Sequence, residues 1–178
     1  EGTPFDDCLS ISDETINRDN IGNPLHISYR RLYQTQISII AMTRYQLIST
    51  KMPREFLLLQ GTGCRWHKCR FCDYYDDVSD IAYELNCNTL QQVTGKYGVL
   101  DIINSGSCVE LDSQTMERIK SVVKEKKIHT LWFEAHYMYR NQLADFAKQF
   151  ENVNVKFRCG IESFDAETRR KWNKGVPD

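Results

Sequence analysis

The sequence predicts an α/β fold, a partial parallel (βα) barrel preceded by an N-terminal segment that is irregular and then helical. Three observations carry this. From residue 56 onward, short apolar runs alternate with helix-period segments in the order βαβαβαβα, the pattern of a parallel sheet with crossover helices. The 123 residues from 56 to 178 divide into four units of about 31, the size of a βα repeat at roughly 30. Four units cannot close an eight-stranded barrel, which takes roughly 250 residues. The sheet is therefore an open arc, or it is completed by more chain or by a partner subunit.

Taken in order, residues 1–24 read as irregular, punctuated by Gly2, Pro4, Gly22 and Pro24. A helix is expected over 27–51, from Leu32, Ile37, Ile40, Tyr45 and Ile48 at three-to-five spacing, with Pro53 ending it. We divide the chain there, into an N-terminal segment 1–52 and a barrel segment 53–178. FLLLQ (56–60) is the first strand and NTLQQVTGKY (88–97) a weak helix. VLDIIN (99–104) is the second strand. The helix 111–127 follows, capped by Asp112 or Ser113, with Met116, Ile119 and Val123 on one face and Lys124, Lys126 and Lys127 at its negative dipole end. TLWFEA (130–135) is the third strand, 141–150 a helix with Leu143, Phe146, Ala147 and Phe150 on one face, and VNVKFR (153–158) the fourth strand. Asp165 starts a last helix, closed by Gly175 and Pro177.

Composition narrows the class. The 178 residues are 41% hydrophobic and 26% charged, ordinary for a globular domain with a core. Neither a membrane-length apolar run nor a signal-peptide pattern is present, so a cytoplasmic location without membrane association is expected. With 23 basic against 24 acidic residues, the net charge of −1 argues against a nucleic-acid partner. Seven cysteines, an odd number, argue against a disulfide framework in a reducing compartment. Cys8, Cys87, Cys108 and Cys159 are scattered and read as small, mostly buried residues.

In a parallel sheet the loops after the strand C-termini form the ligand face. Four loops emerge there: residues 61–75, then Ser105, Gly106 and Ser107, then Glu134, His136 and Tyr137, and last Arg158, Gly160 and Glu162. Period two puts Trp132, Glu134 and His136 on one face, and Asn154, Lys156 and Arg158 likewise. Val153, Val155 and Phe157 turn to the helices. Inward Lys and Arg point to a lumen holding a charged ligand, while Glu134 could also simply pair with Lys156 or Arg158. Trp132 and Phe133 read as core.

The first loop, GTGCRWHKCRFCDYY, carries Cys64, Cys69 and Cys72 in a C-x4-C-x2-C spacing. Zinc is one reading, with His67 or Cys87 as a fourth ligand. Structural zinc sites, however, usually come as two separated pairs. Three thiols in one loop can instead wrap one face of a [4Fe–4S] cube and leave one iron without a protein ligand.

A three-cysteine loop after the first strand of a βα arc resembles the radical S-adenosylmethionine (SAM) superfamily, over roughly residues 56–165. The usual family spacing is C-x3-C-x2-C, so this loop has one extra residue. Phe71 fills the aromatic slot before the last cysteine, where the family places the adenine. Ser105, Gly106 and Ser107 match the turn that holds the methionine amine, and GIES (160–163) resembles a fourth-strand motif. Glu134 matches a polar position near the cofactor. The resemblance implies a [4Fe–4S] cluster on the three cysteines, SAM as cofactor and an external electron donor. It also implies a 5′-deoxyadenosyl radical that takes hydrogen from substrate. Glu134 or Glu162 would meet the amine or the ribose, and Arg158 or Lys156 the carboxylate.

Within the superfamily the phrases GTGCRWHKCRFCDYY, KYGVLDIINSGS and HTLWFEAHYMYR resemble the queuine lyases. That resemblance implies a C–N lyase acting on queuine to give 7-aminomethyl-7-deazaguanine in queuosine salvage. Asp73, Tyr74, His136 and Tyr137 are then the substrate candidates, with Asp6 and Asp7 available from the leading segment. The implied partner is a small molecule, a deazaguanine base or nucleoside. Exposed strand edges suggest a homodimer. The alternatives are another radical SAM enzyme, acting on RNA or on a different small molecule, and a zinc-stabilised, non-catalytic α/β domain.

Overall fold

In the computed structural model, residues 44–177 are described, together with the helical pair 35–36. Five strands form one sheet in the order β1-β2-β3-β4-β5. These are β1 Tyr45–Ile48, β2 Arg54–Leu59, β3 Val99–Asn104, β4 Thr130–Glu134 and β5 Asn154–Arg158. The β2–β3, β3–β4 and β4–β5 pairs are parallel, as expected. The helices are α1 Ala82–Leu90, α2 Ser113–Glu125, α3 Leu143–Ala147 and α4 Ala166–Trp172. The partial parallel barrel is thus the fold of the chain.

Two faces of the sheet follow from the strand period. In register across it runs the row Leu57–Ile102–Phe133–Phe157. The first three are fully buried and Phe157 packs against them. Helix α2 covers this face with Met116, Ile119, Val122 and Val123, and α1 with Leu90. Phe133 meets Phe146 edge-on at 5.1 Å and Phe150 at 5.7 Å. Each large apolar side chain so buried contributes about 1.5–3 kcal/mol. The row Phe56–Asp101–Trp132–Lys156 lies on the other, concave face.

The helix expected over 27–51 does not extend to its end. Tyr45–Ile48 is an antiparallel edge strand, with Tyr45 opposite Leu57 and Ile48 opposite Arg54. Its apolar spacing fits a helix locally, but pairing to β2 satisfies its backbone instead. The irregular reading of 1–24, and Asp6, Asp7 and Cys8, lie outside the described residues.

The weak helix expected at 88–97 is displaced to Ala82–Leu90. Asn86 decides its place: Oδ1 accepts the Gln60 N–H and Nδ2 donates to the Gln60 carbonyl, both at 2.8 Å. That side chain thereby ties the buried end of β2 to α1. Helix α2 starts as read, with Asp112 accepting the Thr115 N–H at 2.8 Å. Helix α3 is shorter than 141–150, because its last turn tightens to three-residue bonds, Gln149 N–H to Phe146 and Phe150 N–H to Ala147. Asp165 caps α4 through the Thr168 N–H at 2.7 Å, and Asn173 ends it in the left-handed region at φ 56°.

The remaining cysteines divide. Cys108 is buried as expected, its thiol pushed up to about 12 by burial. Cys159 is exposed, against expectation. Cys87 is fully buried, as expected, but it is disulfide-bonded, against the expectation that the cysteines form no disulfide framework, and this removes it as a candidate metal ligand. Among the described residues, no helix is long and apolar enough to cross a membrane.

Candidate functional site

The inward charges of β5 have an internal answer. Asp101, 1% exposed, takes the Arg158 guanidinium in a two-pronged contact, Nη1 to Oδ2 at 2.8 Å and Nη2 to Oδ1 at 2.6 Å. Arg54 Nε adds a third donor to Oδ2 at 2.9 Å. The pairing with Asp101 raises the Arg158 pKa further. A lumen charge reserved for a ligand is therefore corrected at this level of the barrel: Asp101, inside what reads as an apolar strand, holds both arginines. Lys156 lies 5.0 Å from the centroid of Trp132, which is half-buried on the concave face rather than core. Phe133 is core, as expected.

Above that layer, at the strand C-termini, lies a cavity of about 380 Å³. All four ligand-face loops reach it. Cys64, Cys69, Phe71, Cys72, Asp73 and Tyr74 come from the loop after β2, and Gly106 from the turn after β3. Glu134 and His136 come from the end of β4, Glu162 from the loop after β5, and Lys174 from beyond α4. Ser105, Ser107, Tyr137 and Arg158 are not on its wall. Ser105 and Ser107 are fully buried behind it: Ser105 Oγ accepts the Gly61 N–H at 2.6 Å and Ser107 Oγ the His136 N–H at 3.1 Å. Tyr137 instead faces the Arg140 guanidinium at 4.6 Å.

The thiols are half-buried. Burial pushes the Cys69 thiol up, Lys174 pulls it back, and Cys72 and Cys64 raise it further. Among the described residues, no three His, Cys, Asp or Glu side chains converge on one ion-sized point. Cys64, Cys69 and Cys72 all line the cavity wall, and three thiols are a donor set that an iron–sulfur cluster takes. Phe71 meets Trp172 edge-on at 5.5 Å, with Lys174 Nζ 5.9 Å from its centroid. The Glu134 side chain makes no hydrogen bond or ion pair among the described residues. Glu162, at φ 64°, pairs with Lys174. Burial lowers the His136 pKa; the Lys174 backbone partly offsets this, while the Lys174 charge adds to it, and the balance favours the neutral ring.

The extra residue in the cysteine spacing is absorbed by His67, at φ 44°, whose ring lies 3.9 Å from that of Tyr75. Trp66 turns inward, stacks on His136 at 5.1 Å and donates its Nε1–H to the Asn173 carbonyl at 2.7 Å. Gly175, at φ 72°, approaches so closely that a Cβ would overlap the Trp66 ring. His67 is thus not on the cavity wall, which removes it as a fourth ligand.

Two residues of this site escape sequence reasoning. Lys174 is the one cation on the wall among the described residues; the left-handed Asn173 turns the chain back toward the cavity and delivers it. Glu110, 6% exposed, sits beneath the cavity. Its Oε1 accepts the Arg65 N–H at 2.8 Å and the Tyr139 O–H at 2.7 Å, and its Oε2 accepts the Ser107 N–H at 2.5 Å. Its backbone carbonyl accepts the Thr62 N–H at 3.2 Å and O–H at 2.9 Å. A legible signal existed for it: Ser107-x-x-Glu110 is a capping box. Gly106, at φ 137°, is required here, since a Cβ would stand 2.5 Å from Glu110 Oε2.

No family model matches the sequence, and no curated protein matches it either. Among solved structures the chain matches a queuine lyase from Clostridium spiroforme bound to SAM and queuine, at 40% sequence identity and a TM-score of 0.72. The match covers 76% of this chain, which spans 60% of the length of that one. In fold and in sequence, the chain is similar to the queuine lyases of the radical SAM superfamily.

Proposed function

We propose that this chain carries the active site of a radical SAM lyase that cuts the C–N bond of queuine and releases 7-aminomethyl-7-deazaguanine. One observation carries the reading: four strand-end loops converge on a single cavity whose wall bears three thiols, the Lys174–Glu162 ion pair, and two carboxylates, Glu134 and Asp73, that form no ion pair among the described residues. Its volume lies within the range of small-molecule sites, roughly 300–1,000 Å³. The likeness to an enzyme bound to SAM and queuine supports the same reading.

In this proposal Cys64, Cys69 and Cys72 hold a [4Fe–4S] cluster. Bound there with SAM and fed by an external one-electron donor, the cluster supplies the radical that starts the reaction. The protein's part is to bind, orient and shield. Phe71 offers an aromatic edge to the adenine. The Gly106 turn, braced by Ser105 and Ser107, presents backbone to the methionine amine. Glu134, whose side chain makes no hydrogen bond or ion pair among the described residues, accepts from the amine or the ribose hydroxyls. For the carboxylate we assign Lys174 rather than Arg158 or Lys156, because Arg158 is held by Asp101 and neither lines the cavity. Glu162 then acts through Lys174, as its ion-pair partner. Asp73 and Tyr74 suit the N–H edge and flat ring of a deazaguanine, and neutral His136 closes the wall beside them. Tyr137 stands away from it.

The test is anaerobic reconstitution followed by SAM and a reductant. The expected result is iron and sulfide near four each per chain, and 5′-deoxyadenosine released together with the aminomethyl base when queuine is added. Lys174→Met should weaken SAM binding by at least about tenfold, the loss of one charge-assisted bond, with Arg158→Met weakening it less. A colourless chain holding a single zinc overturns the cluster; SAM cleavage indifferent to queuine overturns the substrate.

A further inference from the structure

We propose that Glu110 is a positioning residue for the three-thiol loop: it locks Cys64 against the Gly106 turn and sets beside that thiol a negative charge with no ion-pair partner among the described residues. The first half stands on geometry alone, and the second rests on the cluster reading given above.

The geometry is specific to Cys64. The Arg65 amide held by Oε1 belongs to the peptide that leaves Cys64, and the Thr62 amide held by the Glu110 carbonyl lies two residues before it. One residue therefore grips the chain on both sides of the thiol. Its other carboxylate oxygen holds the Ser107 amide, so the turn that approaches Cys64 is fixed by the same group. A Cβ on Gly106 would stand 3.4 Å from Cys64 Cα, which shows how closely turn and thiol loop are packed. Tyr139 brings the segment after β4 into the same bond set.

The chemistry of the three donors matters as well. Two N–H groups and one O–H point at the carboxylate, and no cation forms an ion pair with it among the described residues. An ionised carboxylate accepts all three. A glutamine of the same size must turn its NH2 toward one of them and leave a buried donor unpaired.

The experiment uses Glu110→Gln, Glu110→Asp and, as a control, Glu55→Gln at the opposite end of the sheet. The first readout is amide hydrogen exchange on the metal-free chain. Glu110→Gln should speed exchange by about tenfold or more at Arg65 or Ser107, whichever amide faces the NH2, while the Ile102 and Phe133 amides change little and Glu55→Gln leaves Arg65 and Ser107 as they were. Wild-type exchange at Arg65 and Ser107 in Glu110→Gln, or equal loss in Glu55→Gln, overturns the positioning role. The second readout is the midpoint potential of the reconstituted cluster. It should move upward in Glu110→Gln, where a negative charge is lost, and stay in Glu110→Asp, where it is kept. No shift in the first, or the same shift in both, overturns the charge. A wild-type chain that takes up no iron and sulfide overturns the cavity reading and the charge with it, while the exchange measurement still decides the positioning.

Discussion

Two buried glutamates sit at opposite ends of the sheet and use nearly the same donors. Glu55, fully buried at the start of β2, accepts from the Tyr45 O–H at 2.8 Å, the Thr94 N–H at 2.7 Å and the Lys96 N–H at 3.0 Å. Glu110, at the ends of the strands, accepts from one tyrosine O–H and two backbone N–H groups as well. The difference is what the held loops carry. Around Glu55 they close the end of the arc away from the cavity. Around Glu110 they carry thiols, a turn and a cavity wall. The same bonding solution serves stability at one end and placement of a site at the other, so the chemistry of a buried carboxylate does not reveal its purpose; its neighbours do.

Three measurements sharpen or break this contrast. The largest effect belongs to the thiols. Replacing Cys64, Cys69 and Cys72 together by alanine should reduce SAM cleavage to background, while the urea midpoint stays close to wild type because these side chains are only half-buried. A large loss of stability instead would make the upper end structural too. Next comes Glu55→Gln, which should cost about 1–3 kcal/mol in urea unfolding, the price of leaving a buried donor unmatched, without altering SAM affinity in the reconstituted chain. A change in affinity would erase the distinction between the two ends.

The smallest effect is a pH dependence. Burial, followed by the hydrogen bond to Glu55, pushes Tyr45 up to about 12 from an ordinary 10.0. The folded state therefore favours the protonated phenol. That contribution is complete below pH 10 and is lost as pH rises toward 12. Unfolding followed across this window should show a decline that Tyr45→Phe removes in part. Tyr139 is raised by burial and by Glu110 in the same way, so alkaline absorbance titration should find both phenols among the last to ionise. Ordinary ionisation of Tyr45 near pH 10 would mean that the Glu55 bond set does not hold in solution.

How much of this could be read from the chain alone follows the range of the interactions. The four parallel strands, α2 and α4 were legible because their signals are local: apolar period, Asp112 and Asp165 as caps, and lysines at a helix end. The thiol loop was legible because spacing is a local property too. What the cavity does with those parts was less so. Tyr45–Ile48 looks helical until β2 is beside it, and Asn86 has no visible reason to start α1 early until it meets Gln60. Asp101 reads as an interruption in an apolar run, and only the register with β5 brings Arg158 to it. Lys174 follows a helix with no motif of its own; a single left-handed residue aims it. The loop positions of Ser105 and Ser107 were anticipated, while their burial behind the wall depends on Gly61 and His136, which lie far away in sequence.

The contact between Trp66 and Gly175 leaves no slack. An indole cannot rotate there unless the chain beyond α4 gives way, and that chain cannot shift without pressing on the indole. The three-thiol loop and the exit from α4 therefore move as one piece, like two links riveted at a single pin. Phe71 hangs from the first and Lys174 from the second, so whatever these side chains grasp is gripped or released by both at once.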